Sequence, residues 1–503
     1  MTINVEYLEE PKLQFGDYFE HEDTKTGLAE FGPFGKNIAG LHPSEIKLGF
    51  IGTRESISGA QEWVNRCASF IESENVEVVD KQAPVEGGLF ENGSFADIPV
   101  LKRLRKIINR DFVGFNRDSS FKSCFQVNPF WERHIDPREL SPILAIDDKA
   151  ERIWALVDLI EDRIAGITQT DPMPDIIVIA LTPEIEERAD TVRISGNFFL
   201  NLRRAIKARA MRQKSPIPVQ LIRRGTVQGK GQLQEIATRG WNFCTAQYYK
   251  AGGVPWRPVT LEQDTCYVGI SFYVAQDIDS SLTMRSSVAQ AFDYLGQGLV
   301  LRGDQFEWDA DALGASPHLT QEAACKLIQR TLAEYIKIRN VPPRRVVIHK
   351  TSEFWGKERG DYNELDGFYE GIDSVYPRCE TDFVALRQTG IRLFREGMYP
   401  PLRGTYFSIE GSQHFLYTMG FIPYLETYPK SYVPEPWQII QHLGGSAPKD
   451  IFREVLALTK MNVNNCAFAD GAPITITFSQ KVGEIMKHIP EDGIIQSQYK
   501  FYM

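Results

Sequence analysis

The sequence has no closely spaced cysteines. Its seven, at 67, 124, 244, 266, 325, 379 and 466, form no CxxC pair, so neither a zinc cage nor a disulfide framework is indicated and a reducing, cytoplasmic setting is expected. Eight histidines are scattered without HExxH or other ligand spacing, which argues against a dedicated metal cage. There is no GxxxxGK[ST] phosphate loop and no GxSxG nucleophile elbow. Two glycine-rich stretches, "GKGQLQ" from Gly229 and "GQGLVL" from Gly296, lack the third glycine of a dinucleotide fingerprint and read as turns, so no organic cofactor is expected. No apolar run reaches the length of a membrane span, and the acidic start "MTINVEYLEEPKLQFGDYFEHED" lacks the basic beginning and apolar core of a signal peptide.

What is there is ordinary globular material: 503 residues, 43% apolar and 24% charged, enough for several domains. The first 45 residues read as a loop-rich segment. From residue 46 the pattern is α/β: "IKLGFIGT" as a strand, "SGAQEWVNRCASFIES" with helical apolar spacing, an amphipathic helix over 150–167, and "PDIIVIAL" (174–181) as a buried parallel strand. A helix around "NFFLNLRRAIKARAMRQ" and the strand "PVQLIRR" (218–224) complete a Rossmann-like layer unit over 46–258. The Gly and Pro of "KAGGVPWRP" (250–258) mark a junction. Beyond it, over 259–503, the strands "TCYVGISFYV" and "GQGLVLRGDQFEW", the helix "TQEAACKLIQRTLAEYIKIR" and the strand in "RRVVIHKTSEF" open a second α/β unit.

Charge is uneven. The chain is at net −10, yet residues 201–257 hold twelve basic side chains against the single acid Glu235, +11 locally and −21 for the remainder. Clustered cations on an acidic chain are a footprint for a phosphate-rich ligand. In "NLRRAIKARAM", Arg203 and Lys207 stand four apart, on one helix face. Gln220 in "PVQLI" offers an amide, and Lys250 precedes two glycines that open the backbone to an anion. At the end of "VVIHKTSEF" (346–354), where an α/β strand usually mounts chemistry, stand His349, Lys350, Thr351 and Ser352, with no carboxylate near Thr351 until Glu353.

Four ordered stretches, "TGLAEFGPF" (26–34), "KAGGVPW" (250–256), "YTMGFIPYLETYP" (417–429) and "LALTKMNVNN" (456–465), resemble the prokaryotic Argonautes, specifically the short branch that keeps the MID and PIWI domains and lacks N and PAZ. The resemblance implies a Rossmann-like MID domain over 46–258 and an RNase H-like PIWI domain over 259–503. It implies that Arg203, Lys207, Gln220 and Lys250 grip the 5′ end of a guide strand, with Arg203 standing where the family usually has an aromatic. A Mg²⁺ ion at the guide phosphate, held with the C-terminal carboxylate of Met503, is a further feature of some relatives.

Cleaving PIWI domains hold two divalent metals with acidic residues. The family pattern "VGID" reads "VGIS" here, with Ser271, and "IHRD" reads "IHKT", with Thr351. Neutral hydroxyls do not supply the charge a magnesium pair needs. Asp277 and Glu353 are displaced along the chain from those positions, and Asp470 is a possible remnant of the fourth. The resemblance therefore implies no nuclease activity. It implies a sensor: an RNA guide, a single-stranded DNA target, and a partner carrying an APAZ domain fused to a TIR, sirtuin-like or nuclease effector, in defence against plasmids or phage. The alternative is a guided endonuclease with a rearranged metal site.

Overall fold

The computed structural model describes the chain except residues 1, 75, 81–102, 196–197, 226–233, 278–281, 396–399, 429, 431 and 491–492. The stretch from Gly229 that reads as a turn, and Lys230 of the basic segment, thus lie outside the described residues. The leading segment contributes an edge strand, β1 (Ile3–Tyr7), and a helix, α1 (Thr24–Phe31), to the fold. Leu8, Leu13, Phe15 and Leu28 are buried in the main core.

The apolar run at 46–52 and its neighbour at 176–180 become strands buried along most of their length, as such runs do in parallel sheets. Strands β2 (Glu45–Gly52), β3 (Cys124–His134), β4 (Ile176–Ala180) and β5 (Val219–Ile222) form one sheet in the order β5-β4-β2-β3, every pair parallel. Helix α2 (Arg54–Cys67) is capped by Thr53, which accepts from Ser56 N–H, and α3 (Lys149–Thr168) by Asp148. Helix α3 buries Ile153, Leu156, Val157, Ile160, Ile164 and Ile167, the stripe that helical spacing predicts.

Helix α4 (Leu202–Met211) starts later than its apolar pattern suggests. Asn201 accepts from Arg204 N–H at 3.1 Å and caps it. The preceding Phe198–Asn201 pairs antiparallel with Thr191–Ser195 instead, in keeping with the strand preference of adjacent aromatics. Helix α5 (Ile236–Lys250) is capped by Glu235.

The second unit is a nine-stranded sheet. Strands β6 (Thr265–Asp277), β7 (Leu282–Phe292), β8 (Gly298–Asp309), β9 (Arg345–Lys350), β10 (Glu380–Gln388), β11 (Thr405–Ile409), β12 (Gln413–Leu416) and β13 (Trp437–Gly444) join β1 in the order β1-β11-β12-β13-β10-β9-β6-β7-β8. Only β6–β9 and β9–β10 are parallel. Helices α6 (Gln321–Arg339) and α7 (Glu364–Val375) pack on each other, while α8 (Pro448–Leu458) and α9 (Ile474–Met486) belong to the core shared with the first unit. That core runs without a break from Ile46 and Val178 to Val347 and Val384.

The leading segment is also pinned by charge. Buried Glu10 accepts from Arg403 Nε at 2.9 Å and pairs with Lys460 Nζ at 2.8 Å, and these cations hold its carboxyl below the ordinary range despite burial. Removing one partner of such a group strands the others in low dielectric. Glu10→Ala is expected to lower stability by about 3–5 kcal/mol in chemical denaturation.

Candidate functional site

The basic helix face points inward. The start of α4, the end of β5, α5, α9 and the C-terminal residues enclose a cavity of about 1110 Å³, lined among others by Arg203, Lys207, Gln220, Arg239, Tyr499 and Met503. Lys207 is 3% exposed, and its ammonium donates to the main-chain oxygens of Tyr502, at 3.2 Å, and Met503. Lys250 is 1% exposed and lies beneath the wall: it donates to Gln220 Oε1 at 2.6 Å and Val219 O at 3.1 Å. Gln220 Oε1 also accepts from Gln247 Nε2 at 3.2 Å, and Gln220 Nε2 donates to Leu221 O at 3.1 Å. Arg203 stands exposed at the cavity rim. The structure therefore brings Arg203, Lys207 and Gln220 to one cavity and places Lys250 one hydrogen bond behind Gln220.

The electrostatics are those of a crowded cation cluster. Burial, then Arg203, Lys250 and Arg204, hold the Lys207 ammonium well below its ordinary value; burial and Arg203 bring Lys250 down to about 7. The two acidic side chains lining the cavity are already engaged, Glu484 with Arg204 at 2.7 Å and Asp190 with Arg223 at 3.3 Å. An anion with several acceptor oxygens is the ligand that relieves this arrangement. Among the described lining residues, the oxygens that could face a cation are already bonded: Met503 O by Lys207, Gln220 Oε1 by Lys250, Glu484 by Arg204 and Asp190 by Arg223. Arg204 and Arg239 belong to the basic stretch but are not distinguished by its spacing. Lys481 and Tyr499 arrive from α9 and the C-terminal residues, some 280 positions away, and no local pattern marks them.

In the large sheet, Ser271 is not at a strand end. Strand β6 runs on to Asp277, and Ser271 pairs with Val288 of β7, while the parallel partner β9 stops at the Gly269↔His349 and Lys350 positions. Thr351 is the first residue past β9 and is exposed. On the face shared by Gly269 and His349, α9 comes close. His349 Nδ1 lies 2.8 Å from Thr475 Oγ1, and burial pushes the imidazole down to about 3, so it is neutral. On the other face Lys350 is buried against Glu364, which also bonds His318 at 2.9 Å. Asp470 accepts from Asn462 Nδ2 at 2.7 Å and lines a second cavity, of about 850 Å³, together with Arg110, Arg403 and Cys466. Among the described residues, no three His, Cys, Asp or Glu side chains are grouped to hold a metal ion. The side chain of Asp277 lies outside the described residues.

Gly269 is required by this packing. A Cβ there would lie 1.8 Å from the Thr475 main-chain oxygen. Gly269→Ala is expected to cost about 3 kcal/mol by forcing α9 off the sheet, read as a lowered Tm.

No protein-family model matches the chain, and no curated protein is similar in sequence. Solved structures are similar in fold. Clostridium butyricum Argonaute, bound to a guide DNA with a 5′ deoxycytidine and a 19-mer target DNA, superposes with a TM-score of 0.60 at 13% identity over 98% of this chain and 54% of its own. This is an Argonaute-like fold. Crystal structures of A. aeolicus Argonaute (0.52, 13% identity, 97% and 53%) and Drosophila Piwi (0.55, 11% identity, 99% and 56%) superpose likewise. The chain spans about half the length of each. The four-stranded parallel unit is the MID part of the Argonaute-like fold, and the nine-stranded sheet with its covering helices is the RNase H-like PIWI part.

Proposed function

We propose that the chain is a guide-loaded sensor. It holds the 5′ phosphate of an RNA guide in the cavity of Arg203, Lys207 and Gln220, pairs the guide with single-stranded DNA, and signals to an APAZ-bearing effector subunit in prokaryotic defence. The observation that carries this reading is the pair of buried ammoniums, Lys207 and Lys250, crowded with Arg203 and Gln220 at one cavity whose acidic side chains, among the described residues, already have cation partners. A phosphate entering the cavity takes the ammonium of Lys207 from the Tyr502 and Met503 oxygens, while Lys250 holds the Gln220 amide and adds its charge from behind. Arg203, at the rim, is open to a phosphate or to the face of the first base. Sequence recognition comes from base pairing, which asks only backbone contacts of the protein.

The Ser271 and Thr351 hydroxyls support the absence of cleavage, because magnesium at a two-metal centre is held by carboxylates. A cytoplasmic site of action accords with seven free cysteines, and no described helix is long and apolar enough to cross a membrane. The test is to load the chain with matched guide and target, with 5′ phosphate or 5′ hydroxyl guides, in Mg²⁺ or Mn²⁺. Preference for the phosphate and an intact target are expected. Guide-directed cuts would establish the rearranged endonuclease instead, and equal affinity for the two guides would remove the pocket assignment.

A further inference from the structure

A smaller cavity, of about 230 Å³, opens where the end of α6, the turn between β7 and β8, the junction glycines and the C-terminal residues come together. It is far larger than the roughly 30 Å³ of one water, and smaller than a pocket for a drug-sized molecule. Tyr249, Tyr335, Tyr499 and Ile338 supply apolar lining. Two of the hydroxyls are engaged with the protein: Tyr249 donates to Gly296 O at 3.0 Å, and Tyr499 accepts from Asn464 Nδ2 at 3.1 Å. Gly40 and Gly252, both at positive φ, line the cavity too, and a Cβ at either would meet nothing beyond its chain neighbours within 4 Å. A flat ring thus has bare backbone to lie along and aromatic side chains to contact.

The polar part of the lining is a carboxylate and a guanidinium side by side. The "GQGLVL" stretch forms a turn with Asp293, whose main-chain oxygen accepts from Gly296 N–H at 3.0 Å. Asp293 Oδ1 accepts from the N–H groups of Leu295 and Gln297, each at 2.9 Å. Its Oδ2 accepts no hydrogen bond among the described residues, although the side chain is buried. Arg339 Nη1 forms an ion pair with it at 3.3 Å and is itself held over the ring of Tyr294. Burial pushes this carboxyl up to about 6. A buried oxygen without a donor is costly, and a ligand N–H that reaches it repairs the deficit. One acceptor and one donor 3.3 Å apart match a ligand edge that sets a donor beside an acceptor.

We propose that this cavity binds an adenine base, carried by a free nucleoside or nucleotide. Adenine sets its N6 amino donor beside its N7 acceptor on one edge, the complement of Asp293 Oδ2 and Arg339. Guanine presents two acceptors on that edge, O6 and N7, and would turn oxygen against the carboxylate; cytosine and uracil offer there a lone donor and a lone acceptor. The flat ring suits walls of tyrosine, and Lys500, also in the lining, supplies a cation for a phosphate. The site does not rest on the guide reading, although it lies next to the guide cavity: Tyr499 lines both.

The test is titration calorimetry of the purified chain with adenosine, 5′-AMP, guanosine and uridine. One saturable site for adenosine or AMP is expected, with guanosine and uridine at least ten-fold weaker; whichever of the first two binds more tightly names the source of the base. Removing the N7 acceptor, as in 7-deazaadenosine, is expected to cost at least ten-fold. Asp293→Asn keeps an oxygen for the Leu295 and Gln297 N–H groups and puts an amino group in place of Oδ2. Ile338→Trp leaves the ion pair intact and fills the cavity from an exposed position of α6. Both variants are expected to bind adenosine at least ten-fold more weakly, and Ile338→Trp to keep the wild-type Tm. Absence of saturable adenosine and AMP binding overturns the proposal. So does an adenosine affinity that neither variant changes, which would put the ligand elsewhere, or guanosine binding as tight as adenosine binding.

Discussion

Lys207→Met is expected to melt lower than the wild type and to bind 5′-phosphorylated strands about 10–100-fold more weakly. The two effects have one cause. The Lys207 ammonium is buried beside Arg203, Arg204 and Lys250 and bonds the oxygens of Tyr502 and Met503. Met keeps the length of the stem without the charge. Loss of the bonds to Tyr502 and Met503, which leaves those buried oxygens without their donor, costs the fold about 1–3 kcal/mol. In the complex the same ammonium makes charge-assisted bonds worth about 1.5–3 kcal/mol, which is the stated loss of affinity. Thermal melting of the free protein and titration with 5′-phosphate and 5′-hydroxyl strands read the two sides separately, and the hydroxyl strand should be unaffected. A lower Tm with unchanged phosphate affinity would make Lys207 an anchor for the C-terminal residues and nothing more.

How far such a site can be read from sequence depends on where its parts come from. The helix spacing of Arg203 and Lys207, and the buried strand that carries Gln220, are local patterns, and the structure brings both to one cavity. The long amphipathic helix α3 and the strands β2, β4, β6 and β9 follow from apolar periodicity in the same way. Three features do not. Strand β7, "LTMRSSVAQAF", is rich in small and polar residues and is a strand because it pairs along its whole length with β6 and β8. Strand β1 is set by a partner some 400 residues away. The residues from α9 and the C-terminal stretch that close the cavity are placed by tertiary packing. The strand read in "TCYVGISFYV" is present and runs three residues further than its pattern, because antiparallel pairing with β7 carries β6 on to Asp277. Asp470 is held by tertiary bonds that no local pattern marks: its N–H bonds Thr459 O at 2.8 Å and its carboxylate accepts from Asn462.

Binding of a 5′-phosphorylated strand is expected to weaken by up to about ten-fold per pH unit between pH 7 and pH 9, while the free protein grows more stable over the same range. In the free protein Lys250 titrates at about 7, because burial and Arg203 disfavour its charged form. A phosphate in the cavity favours that form and raises the value. Between the free and bound values, binding takes up a proton, so affinity falls as pH rises, with a slope of up to one decade per unit. The phosphate does not contribute, since its second ionisation near pH 6 is complete in this range. For folding the sign is opposite. The unfolded lysine titrates near 10.4, so above about pH 7 the unfolded chain holds more protons than the folded one and stability rises with pH. The gain is up to about 1.4 kcal/mol per pH unit for one proton, and the depressed Lys207 acts in the same direction. Lys250→Met should make both profiles shallower, leaving the part due to Lys207, with the wild-type fold retained by circular dichroism. An affinity that stays level from pH 7 to 9 in the wild type would mean that the ammonium behind Gln220 does not sense the strand, and the phosphate would then have to sit nearer the Arg203 rim.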